Sequence, residues 1–375
     1  MEVHVVSSTV IPQSLPPTET TKIPLTVFDM VIPNMHEAVL YAFMPPTPTN
    51  TTLKDGLMKA LKLFPTLAGH LSENNDRRRP YVSVGGNGGG VLIVETNVAL
   101  ELLDILPLEP SPKLLQLHPQ TDVAQHLLQI QFNRFSCGGL VIGITNHHRV
   151  ADGKSMSSFF VTWAKLVRGL HIDSVDFISK IKAQMPRKHS TFEILAAHLW
   201  KKVTRARGLD LDTLTEMSVA VNGRSRLRPA VPSEYFGNMV LNTIPRARVK
   251  ELNEGSVADV ARLVHDAVGR IGNGYIRSLI DFWEINGGDE LVSLADVEGP
   301  VLCPNLEIDS WLGLPFHEVD FGAEGSLCGF LPSWVPVKGL VILKPNVVGK
   351  GGVDAVVALF EDHARHFKQI SHSLD

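Results

Sequence analysis

The chain has 375 residues, and this length suggests two domains with enough apolar material for a large core. Hydrophobic residues make up 44% of it and charged residues 20%, which is typical of a folded globular protein. The 35 basic and 39 acidic residues give a formal net charge of −4. Nucleic-acid-binding proteins usually carry a basic excess, so this balance gives no support to that class of function.

Strand-like and helix-like segments alternate along the chain, which indicates an α/β class. In the first half, we predict strands at 3–6, 37–43, 127–135 and 140–145 and helices at 53–63 and 154–168. In the second half, we predict helices at 194–206 and 353–370. The glycine-rich stretch 85–90 lies between two strand patterns and no helix follows it, so we predict a hairpin turn rather than a phosphate loop.

The polar segment 171–190 is the candidate linker between an N-terminal domain, 1–170, and a C-terminal domain, 191–375. The three cysteines are odd in number and no pair has metal-ligand spacing, which argues against a disulfide scaffold and favours a reducing compartment. No signal peptide is visible, and no apolar run is long enough to span a bilayer. We therefore expect a cytoplasmic protein with no membrane partner.

The segment 145–155 carries the chemistry, because an apolar strand brings His147 and His148 to its C-terminal end, with Asp152 four residues later. Ligand sites in α/β sheets favour that edge. Three interpretations remain open from the residues alone. His148 is a general base, since imidazole has a pKa of about 6.5; or both histidines and Asp152 bind a metal; or these are hydrogen-bonded polar residues at a strand end.

Two other kinds of site are disfavoured. The tripeptide 153–155 ends like a nucleotide-binding phosphate loop, but that motif needs a glycine where His148 stands. No Gly-x-Ser-x-Gly nucleophile elbow is present, and nothing near Cys137 marks it as an activated thiol.

Two motifs stand far apart in the chain: residues 147–153 read His-His-Arg-Val-Ala-Asp-Gly, and 320–325 read Asp-Phe-Gly-Ala-Glu-Gly. With these motifs the sequence resembles a known family, the plant BAHD acyltransferases. The first matches the family's His-His-x-x-x-Asp-Gly signature, and the second resembles its Asp-Phe-Gly-Trp-Gly signature at the expected separation. Segments 64–71, 134–139, 191–200, 222–226 and 235–238 are also similar to family segments. The resemblance therefore covers nearly the whole chain.

The resemblance implies two similar α/β domains like chloramphenicol acetyltransferase, with mixed sheets and a solvent channel between them. It implies that His148 deprotonates the acceptor and that no covalent acyl-enzyme forms. Asp152 is expected to point away from the substrates and to pair with an arginine, for which Arg224 is the candidate. Supporting roles are implied for Gly153 in the first signature and for the loop residues Asp320, Phe321 and Gly322 in the second.

Acyl-CoA is implied as a co-substrate, with no permanently bound cofactor and no metal. Ser190 and Thr191 stand where relatives approach the coenzyme, and Lys188, Lys201 and Lys202 are nearby candidates. The early segments 24–29 and 41–50 look like the branch that acylates agmatine, putrescine or tryptamine with hydroxycinnamoyl or benzoyl groups. An amine acceptor is therefore favoured, and family members are expected to be monomers.

An amine acceptor is a cation in solution, so a carboxylate near it would help to bind it. Asp29, Glu37 and Glu324 are candidates, and Glu324 is preferred because it lies where the second signature departs from the family pattern. His36 and Tyr41 are expected on the acceptor side, by resemblance to the matching early strand.

Two rival functions remain. One is an O-acyltransferase that makes esters of shikimate-like or other alcohols, and the other is a non-catalytic relative that binds acyl-CoA. The chain also departs from the family at two places. Ala323 replaces a tryptophan, and the segment between Gly169 and Thr191 is short. Either the linker is trimmed or the chain lacks a segment here, and the second is favoured because so short a linker reaches poorly across two domains.

Overall fold

The structure is a computed structural model that describes residues 1–13, 20–73, 80–86, 88–119, 126–170, 190–232, 234–286, 301–322, 325–333, 337–347 and 352–373. The linker predicted at 171–190 lies outside the described residues except for Ser190. The helices are α1 (Val27–Met30), α2 (Asn50–Leu63), α3 (Gly153–Val167), α4 (Thr191–Arg207), α5 (Val249–Glu254), α6 (Val257–Arg270), α7 (Asn273–Asn286) and α8 (Glu361–Ile370).

The strands are grouped in three sheets. They are β1 (Val3–Ile11), β2 (Thr20–Pro24), β3 (His36–Phe43), β4 (His70–Glu73), β5 (Pro80–Gly85), β6 (Val91–Val98), β7 (Leu128–Phe135), β8 (Leu140–His147), β9 (Leu214–Asn222), β10 (Val240–Thr243), β11 (Arg246–Arg248), β12 (Leu306–Ser310), β13 (Leu327–Pro332), β14 (Leu340–Pro345) and β15 (Val353–Val357).

Both large sheets are mixed. The first has the order β1-β6-β7-β8-β3-β13, in which only the β6–β7 pair is parallel. The second has the order β10-β9-β12-β14-β15, with parallel pairs on both sides of β12 and with β11 also paired to β9. The two mixed sheets confirm the predicted α/β class.

Helix boundaries follow from local chemistry. The α3 helix begins after Asp152, whose carboxylate accepts a hydrogen bond from the backbone N–H of Ser155, and Gly169 just beyond its end has a φ of 70°. The α4 helix begins with a capping box in which Ser190 and Glu193 exchange hydrogen bonds. These hydrogen bonds determine where the two predicted helices begin.

Each large sheet packs its helices over a separate hydrophobic core. Helices α2 and α3 cover the first sheet, with Trp163 and Phe159 wholly buried. Helices α4 and α6 cover the second, with Trp200 wholly buried. No helix in the described ranges is long and apolar enough to cross a membrane.

The two halves of the sequence exchange elements. Strand β13 comes from the second half but pairs with β3 in the first sheet. In the other direction, Val27 and Phe28 of α1 belong to the second core. This exchange joins the two sheets, and it fixes the position of β3 relative to the second half.

Two sequence predictions are wrong. The glycine-rich stretch does not form a hairpin, because β5 pairs with β2 and β4 while β6 pairs with β1 and β7. The predicted helix at 353–370 is in fact strand β15 followed by α8. The β-branched Val353, Val356 and Val357 favour a strand, and β14 provides the backbone partner that a periodicity argument cannot see.

Because α1 packs into the second core, we predict that removing its buried aromatic side chain strongly lowers stability. Phe28 is 6% exposed, so Phe28→Ala should lower the free energy of unfolding by about 3–5 kcal/mol, measured by urea denaturation. The matched control is Phe282→Ala on α7, where the ring is 40% exposed and the expected loss is about 1 kcal/mol or less. Equal losses in the two variants would mean that α1 does not anchor the second core.

Candidate active site

His148 follows the last residue of β8 at the boundary between the two halves. Its backbone N–H donates to the Met35 carbonyl at 2.9 Å, and its own carbonyl accepts from the Asn238 side chain at 2.9 Å. Asn238 also donates to Asp29 of α1 at 2.9 Å. The backbone of His148 is therefore held by both halves of the molecule.

The adjacent His147 has a different environment. Its Nδ1 accepts from the Arg149 backbone N–H at 3.2 Å, and its Nε2 contacts the Asn34 side-chain oxygen at 3.1 Å. Burial, with smaller contributions from His36, Arg149 and His148, lowers the pKa of His147 to about 3. His147 is therefore neutral at physiological pH with both nitrogens engaged, which suits a structural role.

Asp152, at the start of α3, is buried next to this site and is held by hydrogen bonds from the second half. Its carboxylate accepts from Arg224 at 2.7 and 3.1 Å, and from the Met239 backbone N–H at 3.0 Å, in addition to its helix-capping bond. Arg224 also donates to the Gly237 carbonyl at 2.9 Å. The predicted Asp152–Arg224 pair is confirmed, and it connects the start of α3 to the second sheet.

Gly153 allows a close approach of the second half. A Cβ atom at this position would lie 3.0 Å from the Leu314 side chain. The Leu314 side chain would have to shift by a few tenths of an ångström to accept any other residue here, so the glycine of the first signature allows close packing between the two halves.

The second signature lies at the opposite end of α3. Asp320 accepts from Arg168 at 2.6 Å and from the Gly322 backbone N–H at 2.8 Å. The Phe321 ring packs against Trp163, with centroids 4.8 Å apart. Since 15 helical residues span roughly 22 Å, the loop lies far from His148 and its contacts are structural.

A cavity of about 220 Å³ opens beside His148 between the two sheets. From the first half, it is lined by Glu37 on β3 and by His148, and the Nε2 of His148 lies 3.2 Å from the Glu37 carboxylate. From the second half, β12 contributes Asp309 and Glu307. The predicted space between the halves is therefore present, and its lining near His148 is acidic.

Burial and, to a smaller extent, the negative charge of Glu37 raise the pKa of Asp309 to about 6, while His148 opposes the shift. Asp309 is partly exposed to the cavity. Two negative charges in one cavity repel each other, and this repulsion disfavours the ionised form of Asp309. This pair would be stabilised by a cation bound between the two groups.

The predicted acceptor residues occupy other places. His36 contacts the His126 carbonyl at 3.1 Å, and Tyr41 is 1% exposed within an aromatic cluster, its hydroxyl without a hydrogen-bond partner in the described part of the chain. Neither lines the cavity beside His148. Glu324 lies outside the described residues. Roles for these three in acceptor binding stay predictions.

Sequence reasoning ranked Glu37 behind Glu324 and missed Asp309. The missed signal is the alternation Leu306-Glu307-Ile308-Asp309, which places two carboxylates on one face of a buried strand. Asp29, another candidate, is buried against Asn238 and Thr26, and burial raises its pKa despite those hydrogen bonds.

The residues expected near the coenzyme are only partly available to it. Ser190 and Thr191 are exposed at the start of α4, where their role in coenzyme A binding stays a prediction. Lys201 and Lys202 are buried instead. Lys201 donates to the Leu252 and Gly255 carbonyls and Lys202 to Ser373, so neither lines an entrance for a phosphorylated ligand. Lys188 lies outside the described residues.

The Asp152–Arg224 pair generates a prediction. Arg224→Met leaves the Asp152 charge buried without its partner, so the variant should lose about 3–5 kcal/mol of unfolding free energy in urea denaturation, together with its activity. Adding Asp152→Asn removes the uncompensated charge and should restore part of the stability. No recovery in the double variant would contradict the electrostatic explanation.

Comparisons with known proteins agree with this architecture. The model of the Transferase family matches residues 1–189 and 178–374. The chain is 36% identical to tryptamine hydroxycinnamoyltransferase 2 of Oryza sativa subsp. japonica over 94% of this chain and 93% of that protein. It is likewise 36% identical to agmatine coumaroyltransferase-1 of Hordeum vulgare over 94% of each.

Among solved structures, F. sporotrichioides TRI101 complexed with coenzyme A and T-2 superposes with a TM-score of 0.75 at 16% identity, over 93% of this chain and 97% of that one. That likeness concerns the fold. The family model and the two plant relatives cover both halves and both signatures, and this chain therefore belongs to the BAHD acyltransferase family.

Proposed function

We propose that this acyltransferase moves a hydroxycinnamoyl or benzoyl group from a coenzyme A thioester to an amine, giving an amide, with His148 as the general base. The observation that carries the proposal is the acidic lining of the cavity beside His148, where Glu37 and Asp309 approach from opposite halves. A tryptamine and an agmatine transferase among its relatives support the same acceptor class.

Charge explains why this lining favours an amine. An alkylamine has a pKa near 10, so it reaches the enzyme as an ammonium ion. In a site shielded from water, the attraction between an ammonium and a carboxylate is stronger than in bulk solvent. Asp309 and Glu37 together would hold the cation within reach of His148 Nε2, as a near-attack arrangement requires.

The thioester is already activated, so the protein has to align two reactants and accept protons. Acyl-CoA is the proposed co-substrate, and the coenzyme A bound in TRI101, which shares this fold, is compatible with it. Ser190 and Thr191 are the proposed contacts with the coenzyme. Asp152 and Arg224 would keep His148 in place without touching either substrate.

The alternatives fit the cavity less well. An alcohol carries no charge, so binding it would bury two carboxylates without a cationic partner, which is costly. A non-catalytic acyl-CoA-binding protein would not need a histidine whose Nε2 faces an open cavity between the halves. Amide formation is therefore the better-supported function.

The test uses p-coumaroyl-CoA with agmatine, putrescine, tryptamine, shikimate and a long-chain alcohol, following released thiol for wild type and His148→Ala. We expect turnover with at least one amine, reduced about 10²- to 10⁴-fold in the variant. Turnover with alcohols alone would overturn the amine proposal. Tight acyl-CoA binding without thiol release from any pair would favour the binding protein.

Asp309 yields a separate prediction. Asp309→Asn should raise the KM for the amine about tenfold or more while leaving the KM for acyl-CoA within about twofold, because only the cationic substrate loses a charge partner.

With a pKa of about 6, the wild-type Asp309 carboxylate becomes protonated as the pH falls through 6, so the wild-type KM for the amine should rise there. The ratio of variant to wild-type KM should therefore shrink at low pH. A constant ratio from pH 5 to 8 would contradict this role.

A further inference from the structure

The side chains of Glu37 and His148 are in direct contact. The Glu37 carboxylate lies 3.2 Å from Nε2 of His148, and the two side chains are only 23% and 19% exposed. His148 Nδ1 is buried and has no hydrogen-bond partner among the described residues. Nε2 is therefore the nitrogen that can reach a substrate, and a carboxylate stands directly beside it.

An amine acceptor poses a problem that an alcohol does not. It arrives as R–NH₃⁺ and has no lone pair for attack until one proton leaves. After attack, the nitrogen of the adduct is positively charged and must lose a second proton. A single imidazole can hold only one of these protons at a time, so a second acceptor at the same place would leave His148 free for the later proton.

We propose, resting on the amine-acceptor function above, that Glu37 is a second catalytic base, which takes the proton that the ammonium loses before attack. Its carboxylate is the group next to Nε2 within the same cavity, so a nitrogen in contact with His148 is also within reach of Glu37. His148 is then left free for the proton that is lost after attack.

The steps balance. One N–H bond of R–NH₃⁺ breaks and its proton forms an O–H bond on Glu37, from which it passes to solvent. The nitrogen lone pair then attacks the thioester carbonyl, forming a C–N bond and a tetrahedral alkoxide. His148 Nε2 takes the proton from that nitrogen. The alkoxide collapses and breaks the C–S bond, and the thiolate leaves with the proton from His148. Amide, coenzyme A thiol and one released proton result.

Glu37 stands among other charged groups that line the cavity. Asp309 approaches it from β12, and the negative charge of Glu37 contributes to the raised pKa of Asp309. The other charged residues lining this cavity are Asp152, Lys154, Glu216, Arg224 and Glu307. Glu216 is paired with Arg246 at 2.7 Å, and Asp152 is paired with Arg224.

The experiment compares wild type and Glu37→Gln with two acceptors, an alkyldiamine and 2,2,2-trifluoroethylamine, which is already neutral at pH 7. For the diamine at pH 7, kcat/KM should fall about 10²-fold in the variant. The variant must use amine that was deprotonated in solution, so its kcat/KM should rise about tenfold per pH unit towards the amine's pKa, whereas the wild-type profile is flatter. For trifluoroethylamine, the loss at pH 7 should be less than about threefold.

Glu254→Gln, an exposed site at the end of α5, is the matched control and should behave as wild type. An equal loss with both acceptors, or one that is independent of pH, would overturn the proposal and make Glu37 a structural residue. Full activity of Glu37→Gln with the diamine would also overturn it. Wild-type turnover with alcohols only would instead refute the amine function on which the proposal rests.

Discussion

The buried ion pair between Asp152 and Arg224 is the constraint on which the rest of the site depends. Asp152 caps the helix that follows His148, while Arg224 belongs to the second half and also binds the Gly237 carbonyl. A buried carboxylate with this many donors has no freedom to turn towards a substrate. The pair therefore fixes the start of α3 against the second sheet. His148 is then the group of the 147–153 motif that remains available to a substrate.

The exchange of β13 and α1 between the halves serves the same end. Each half contributes one wall of the cavity, so the distance between the walls decides whether Glu37 and Asp309 can act on one ligand. Pairing of β13 with β3 fixes the strand that carries Glu37. Packing of α1 into the second core fixes the same strand from its other end. The geometry of the charges is thus a consequence of the fold's connectivity.

An acidic site has a cost for amine chemistry. The carboxylates that attract an ammonium also stabilise its protonated form, and so make the free amine harder to generate. A site that only bound the ammonium ion would therefore form the amide slowly. In the proposed mechanism, Glu37 beside His148 Nε2 accepts a proton, while Asp309 across the cavity attracts the cation. The same cavity would then both bind and activate its acceptor.

The sequence was most informative where function leaves a local signature. The helices α3 and α4 and the His147–Gly153 motif were predictable, because apolar periodicity and motifs are short-range patterns. The Asp152–Arg224 pair joins residues 72 positions apart, and the family resemblance supplied it. Other partners distant in sequence were not predictable. Residues 353–357 were predicted to be helical, because apolar spacing does not reveal that β14 pairs with them to form strand β15. Asp309 was missed because it lies more than 270 positions from Glu37 and meets it only in the folded protein.

The most direct test of amide formation at this site uses 4-aminobutan-1-ol. This acceptor carries a primary amine at one end and a primary alcohol at the other, so the two groups compete within a single molecule. The enzyme would be given this acceptor and p-coumaroyl-CoA, and the reaction quenched in acid to prevent migration of the acyl group. The product would be identified by mass spectrometry and NMR. We predict the amide with a free hydroxyl, because in our proposal the acidic cavity binds the ammonium end beside His148. The ester with a free amine would contradict the account.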